Sequence, residues 1–161
     1  MEDIRLELAV QTLQSFGTVR LKVTGISMLP SLWPGDLLTI RSQSFEQASP
    51  GDIILYRRDQ RMFIHRVIRK NGDILIAGGD CMPRPDPAVT RDEVLGKLLN
   101  IRRFGRPMAV PQFSLLHRVF AWLLCRSNLL RRAVLWAHFR SLRRAELQDT
   151  SSPTFEYQVA R

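Results

Sequence analysis

Ser27 is the residue in this chain best placed for covalent chemistry. It lies two residues after Gly25 and three before Pro30, on a predicted turn between two predicted strands. A serine hydroxyl is a weak nucleophile until a neighbouring base takes its proton, so this role requires a base that folding brings close. Leu29 stands where G-x-S-x-G would need its second glycine, which excludes the nucleophile elbow of α/β-hydrolases. Taken alone, Ser27 also fits an ordinary turn serine.

Several short motifs follow one another around Ser27 in a fixed order. They are GISMLP at 25–30, PGD at 34–36, PGD at 50–52, IHRVI at 64–68, and GD at 79–80 followed by Asp86. Together they resemble the S24/S26 serine peptidases, which include the type I signal peptidases and the LexA-like self-cleaving proteins. The resemblance covers about half of the chain, from residue 23 to residue 101. It implies that Ser27 is the nucleophile of a serine endopeptidase.

The residue at the general-base position separates the subfamilies of this group. Bacterial signal peptidases place a lysine directly before an Arg-Val-Ile-like strand, and this chain has His65 there. The pattern is therefore similar to the histidine-type signal peptidases of the endoplasmic reticulum and archaea. An imidazole has an ordinary pKa of about 6.5 and accepts a proton at neutral pH. A lysine base would need strong desolvation to do the same.

The resemblance also implies roles for two aspartates and one backbone amide. In histidine-type relatives, an aspartate six residues after the Gly-Asp aspartate orients the histidine, and Asp86 lies six residues after Asp80. We therefore expect Asp86 to orient His65, with Asp80 as a supporting or alternative orienter. The backbone N–H of Ser27 is the expected oxyanion-hole donor. No cofactor-binding or metal site is predicted.

The elements that must position these residues are mostly short strands. Alternating or β-branched runs predict strands at 18–23, 37–40, 53–57, 62–69, 74–77 and 94–101, with an Asn71-Gly72 hairpin turn. An amphipathic pattern predicts a helix over 3–16, ended by Gly17. The expected fold class is mainly β: a small β-barrel-like S24/S26-type peptidase domain, with a short N-terminal helix and a basic helical extension. The predicted units are 1–22 (helix and lead-in strand), 23–104 (peptidase-like β domain), 105–147 (helical extension) and 148–161 (flexible tail).

The net charge of +9 is concentrated towards the C-terminus. Eleven of the 24 basic residues lie between Val94 and Ala145, where there is no Asp or Glu. In this region Leu116, Val119 and Phe120 begin an apolar stripe at helical spacing, with most arginines opposite and a break at 127–128. The stripe could pack on the β domain, bind an anionic membrane through residues 113–144, or bind a partner protein. Nucleic acid is a less favoured partner.

These patterns predict a signal-peptidase-type serine endopeptidase that cleaves a precursor or leader peptide through a Ser-His-Asp acyl-enzyme. The alternative is an inactive peptidase-fold binding module whose basic tail binds membrane or nucleic acid. The first sixteen residues carry three acidic side chains, and no run of about 18 apolar residues occurs, so neither a signal peptide nor a spanning helix is expected. Cys81 and Cys125 form no CxxC pair. The expected location is the cytoplasm, with peripheral membrane contact as a further option.

Overall fold

The computed structural model describes residues 2–112 and 114–148. Helix α1 (Glu2–Phe16) precedes eight strands, and helices α2 (Leu115–Arg126) and α3 (Asn128–Gln148) follow them. The strands are β1 (Thr18–Lys22), β2 (Leu37–Ser42), β3 (Ile53–Arg58), β4 (Arg61–Asn71), β5 (Ile74–Gly78), β6 (Val89–Thr90), β7 (Val94–Arg103) and β8 (Arg106–Met108). This confirms the predicted mainly β fold with an N-terminal helix and a helical extension. The predicted tail, 148–161, lies outside the described residues beyond Gln148.

All eight strands belong to one antiparallel sheet. Its order is β1-β2-β7-β3-β4-β5-β6, and β8 pairs with β7. Two tight turns build the central hairpins: Asp59 and Gln60, both with positive φ, join β3 to β4, and Gly72 helps to join β4 to β5. The predicted hairpin at Asn71-Gly72 is therefore present. Strand β4 runs through the middle of the site described below.

Two apolar clusters cover the two faces of the sheet. One joins α1 to inward residues of β1, β2, β3 and β7, including Leu13, Ile40 and Ile53. The other joins β3, β4, β5 and β6 around Ile54 and Val67. Consecutive residues of a strand point to opposite faces, so β3 and β4 contribute to both clusters. Both faces of β4 are therefore packed against apolar side chains.

The helical extension packs on the loops that follow β1 and β5. Leu29 and Cys81 from those loops form a third buried cluster with Leu124 of α2, against which Leu130 and Val134 of α3 also pack. By contrast, Leu116, Val119, Phe120 and Leu123 of the predicted stripe are exposed. The stripe is therefore divided between two helices, and its α2 part does not pack on the β domain.

No helix within residues 2–112 and 114–148 combines the length and the apolar character needed to cross a bilayer.

Candidate active site

The turn that carries Ser27 is tied to the loop after β5. The backbone N–H of Cys81 donates to the carbonyl oxygen of Ser27 over 2.8 Å. Gly79 lies directly beneath the serine, because a Cβ built on Gly79 would lie 2.5 Å from that same oxygen and 3.0 Å from Ser27 Cβ. Real Cβ atoms do not approach backbone so closely. Glycine at position 79 is therefore what allows Ser27 to sit where it does.

His65 approaches Ser27 from the middle of β4. Its Nε2 lies 3.0 Å from Ser27 Oγ, and its Nδ1 lies 2.6 Å from Asp86 Oδ2. The His65 side chain is 6% exposed, whereas Ser27 is only half-buried. The histidine is thus held inside the protein, while Ser27 is partly exposed to solvent. The structure brings Ser27, His65 and Asp86 into one hydrogen-bonded chain.

Asp86 is fixed by its backbone and by a second donor. Its N–H donates to Ala77 O over 2.9 Å, and the Tyr56 hydroxyl donates to Asp86 Oδ2 over 2.9 Å. Partial burial tends to raise the pKa of Asp86, but the hydrogen bond and charge of His65 and the Tyr56 bond outweigh it and lower the pKa below its ordinary value. Asp86 is therefore a carboxylate at neutral pH. Burial, followed by the charge of Asp86, raises the pKa of Tyr56, which keeps its hydroxyl protonated as a donor.

Asp80 lies in a different cluster, on the other face of β4. Its carboxylate accepts two hydrogen bonds from Arg66, Nε to Oδ1 and Nη2 to Oδ2, both over 2.9 Å. Ser31 Oγ donates to the same Oδ2. Arg66 Nη1 also donates to Gly51 O over 2.9 Å. The structure therefore separates the two candidate orienting aspartates: Asp86 contacts His65, and Asp80 contacts Arg66.

Ser31 completes a second grouping of serine, histidine and aspartate. Its Oγ lies 2.9 Å from Nε2 of His117, which comes from α2. Burial, with the Arg66 charge adding and Asp80 opposing, lowers the pKa of His117. Ser31 is fully buried, and Arg66 Nη2 donates to its oxygen over 2.9 Å. A buried oxygen that already accepts from a guanidinium cannot attack a substrate, so this grouping is suited to anchoring α2 and not to catalysis.

Sequence reasoning missed Tyr56, Ser31, Arg66 and His117 as members of these clusters. A signal for the position of Tyr56 near His65 was present in the sequence. The hairpin of β3 and β4 pairs Ile54 with His65, and Tyr56 lies two residues further along β3 on the same face. Ser31 and His117 had none, because 86 residues separate them.

A cleft of about 1180 Å³ opens beside the nucleophile turn. One wall contains Ile68 of β4 and Gly79 and Met82 of the following loop, and the other contains Val119 and Trp122 of α2. Gly79, which lies against the Ser27 backbone, is shared between this cleft and the nucleophile turn, but Ser27, His65 and Asp86 do not line the cleft. Arg66 and Asp80 of the second cluster do line it. Cys81 borders this region, but burial raises the pKa of its thiol to about 12, so it is not a competing nucleophile.

Within residues 2–112 and 114–148, no group of three or more His, Cys, Asp or Glu side chains could hold a metal ion. The chemistry available to the described site is that of a serine, an imidazole and a carboxylate.

Comparison with known families agrees with this architecture. The family model described as Peptidase S24-like matches residues 2–94, more than half of the chain. The chain belongs to the Peptidase S24-like family, and so to the S24/S26 superfamily of serine-peptidase-type folds. The match includes Ser27, His65, Asp80 and Asp86 and ends before α2 and α3. A search of curated proteins gave no significant match.

Proposed function

We propose that this protein is a serine endopeptidase of the histidine type, cleaving a peptide bond in a precursor or leader peptide. The observation that carries the proposal is the chain of contacts from Ser27 Oγ to His65 Nε2 (3.0 Å) and from His65 Nδ1 to Asp86 Oδ2 (2.6 Å). Both distances are within hydrogen-bond reach without movement of any loop. Membership of a peptidase family supports the same reading.

In the proposed reaction, Ser27 Oγ attacks the substrate carbonyl carbon while its proton passes to His65 Nε2. The C–O bond forms as the carbonyl becomes an oxyanion, for which the Ser27 backbone N–H is the proposed donor. His65 then gives its proton to the leaving nitrogen as the C–N bond breaks. Water, deprotonated by His65, hydrolyses the resulting ester. Asp86 holds the Nδ1 proton of His65 and stabilises the imidazolium formed in each half of the reaction.

The substrate is proposed to lie extended in the cleft between the β5 loop and α2 and to continue past Gly79 to Ser27, which lies against Gly79 outside the cleft lining. The cleft offers apolar walls through Ile68, Met82, Val119 and Trp122. Arg118 and Arg126 of α2 also line the cleft, so its walls favour a cleavage region with apolar side chains and without basic ones.

The proposal is tested by labelling with a fluorophosphonate probe, which reacts with activated serines and requires no knowledge of the substrate. Wild-type protein is expected to be labelled, and labelling should vanish in Ser27→Ala and in His65→Ala. Ser31→Ala is the matched control, since Ser31 also contacts a histidine and an aspartate yet is buried. Its labelling should remain at the wild-type level. A well-folded wild type that reacts no faster than Ser27→Ala would favour the non-catalytic binding module.

A second prediction concerns the position of the nucleophile. Gly79→Ala should lower the labelling rate by about 10²-fold, because the new Cβ must push the Ser27 backbone away from His65. Gly25→Ala is the control: it lies two residues before Ser27, and an added Cβ there meets nothing within 4 Å. Thermal unfolding of both variants separates displacement of the serine from loss of the fold. Equal labelling of the two variants would contradict the role given to Gly79.

A further inference from the structure

Helix α2 presents a broad apolar surface to solvent. Only a narrow strip of the helix, including Ala121 and Leu124, is buried against the domain. The exposed apolar residues of α2 are Leu115, Leu116, Val119, Phe120, Trp122 and Leu123. At 3.6 residues per turn they cover nearly half of the helix circumference as an arc that only Arg126, in the last turn, interrupts. Single exposed leucines are common on protein surfaces, but an arc of this width marks a binding surface.

Helix α3 adds arginines and a second exposed tryptophan. Trp136 is exposed, with the Arg140 guanidinium 5.4 Å from its ring centre, and Leu129 and Phe139 are exposed on the same helix. The other arginines exposed on α3 are Arg132, Arg143 and Arg144. No acidic residue occurs from Leu95 to Ala145. The surface of the extension therefore combines apolar and aromatic side chains with a large excess of positive charge.

We propose that the exposed faces of α2 and α3, which we call the extension surface, bind an anionic phospholipid bilayer. The arc of α2 enters the headgroup–acyl boundary, and the arginines of α3 attract the anionic headgroups. Tryptophan is favoured at this depth because its ring is apolar and its N–H is polar. A second copy of the chain is a poor occupant, because its extension surface carries the same positive charge. A nucleic acid would neutralise the arginines but leave the α2 arc exposed to water.

The location of α2 connects this surface to the cleft. The same helix that carries the exposed arc forms one wall of the cleft through Val119 and Trp122, and Gly79, which lies against Ser27, also lines that cleft. Membrane binding would therefore place the opening of the cleft at the bilayer surface. If the protein is the peptidase proposed above, this location of the cleft predicts that its substrates are peptides whose cleavage sites lie at the membrane interface.

Vesicle binding by the full chain tests the inference. We expect the protein to co-sediment with vesicles of phosphatidylglycerol and phosphatidylcholine, with a blue shift of tryptophan fluorescence from Trp122 and Trp136. Leu116→Glu should weaken binding at least tenfold, since it replaces an inserted apolar side chain by a charge. Phe16→Glu is the matched control, because Phe16 is 79% exposed, Leu116 is 82% exposed, and Phe16 lies on α1. That variant should bind as the wild type does.

Two double variants test the contribution of the arginines to vesicle binding. Arg132→Glu with Arg143→Glu should reduce binding to anionic vesicles at least tenfold, and added salt should weaken the wild type in the same direction. Arg61→Glu with Arg69→Glu, two exposed positions of β4, should have little effect. Equal binding to pure phosphatidylcholine vesicles, or no effect of Leu116→Glu, overturns the inference. Self-association in sedimentation that Leu116→Glu abolishes also overturns it, in favour of a second copy.

The binding assay is repeated with Ser27→Ala. Because that variant lacks the proposed nucleophile but keeps the extension surface, it should bind vesicles as the wild type does. The two proposals can therefore fail independently. Failure of fluorophosphonate labelling would contradict the peptidase function, and failure of vesicle binding would contradict membrane binding by the extension surface.

Discussion

Asp86→Asn is expected to lower the rate of fluorophosphonate labelling by about 10⁴-fold while leaving the protein folded. His65 and Tyr56 both contact the same carboxylate oxygen, Oδ2. An asparagine with its carbonyl oxygen there keeps both hydrogen bonds but no longer supplies a negative charge to stabilise the imidazolium. With its amide nitrogen there, it forces the proton onto His65 Nε2, which can then no longer accept from Ser27. Either orientation removes the activation of the serine.

Tyr56→Phe is a milder change at the Asp86 carboxylate and serves as the control for Asp86→Asn. It removes one donor to Asp86 and keeps the carboxylate, so we expect a loss of about tenfold, the value of one hydrogen bond to a charged group. Labelling rates are measured from pH 5 to pH 9, with circular dichroism as the check on folding. An Asp86→Asn variant within tenfold of wild type would remove Asp86 from the mechanism.

Acid unfolding of Asp86→Asn provides a further readout. The pKa of Asp86 is lowered in the folded protein, so its contribution to stability is present above the unfolded-state pKa of about 3.9 and is lost as the pH falls through the lower folded-state value. Asparagine does not titrate. The unfolding free energy of the variant should therefore fall less steeply below pH 4 than that of the wild type, as measured by urea unfolding at several pH values.

Much of the fold could be predicted from local patterns. Strand runs such as 53–57 and 62–69 alternate or are β-branched, and Asn71-Gly72 indicates a hairpin, so the six predicted strands are all present. The short strands β6 and β8 were not predicted, because two or three residues are too few to show a pattern. The order of the sheet could not be predicted in this way. Strand β7 pairs with β2 and β3, and those contacts join residues at least 38 positions apart. Pairings of that kind depend on the packing of the whole core.

The residues of the candidate site could also be predicted only in part. The motif pattern singled out Ser27 and His65, because their residue types and order carry the resemblance. It favoured Asp86 as the orienter of His65 but left Asp80 as an alternative. The structure distinguishes the two aspartates: His65 and Arg66 are consecutive on β4 and point to opposite faces, and each aspartate contacts one of them. Only the path of the loop after β5 determines which aspartate reaches which face.

Asp80→Asn is expected to lower the stability of the fold strongly and to have little direct effect on the labelling rate. This is the reverse of the result expected for Asp86→Asn. The Asp80 side chain is 1% exposed and that of Arg66 is 5% exposed. Removing the carboxylate charge leaves a buried guanidinium without its counter-ion, which costs about 3–5 kcal/mol. This is a large part of the total stability of about 5–15 kcal/mol that a domain of this kind has. Urea unfolding followed by circular dichroism measures the loss.

Asp52→Asn is the matched control for that measurement. Asp52 pairs with Lys97 over 2.6 Å, but the Lys97 side chain is 36% exposed, so the loss should be at most about 1 kcal/mol. The double variant Asp80→Leu with Arg66→Met tests the cause. If the uncompensated charge is what destabilises Asp80→Asn, replacing both charges by apolar side chains should recover most of the loss.

Comparing Asp80→Asn with Asp86→Asn separates the anchoring of α2 from catalysis. At a temperature and pH where Asp80→Asn remains folded, it should label at nearly the wild-type rate, because Ser27, His65 and Asp86 keep their contacts. A variant that stays as stable as wild type but labels slowly would instead make Asp80 part of the catalytic chain. The Arg66 cluster would then act on His65 through β4, and the division of the strand into a catalytic face and an anchoring face would be wrong.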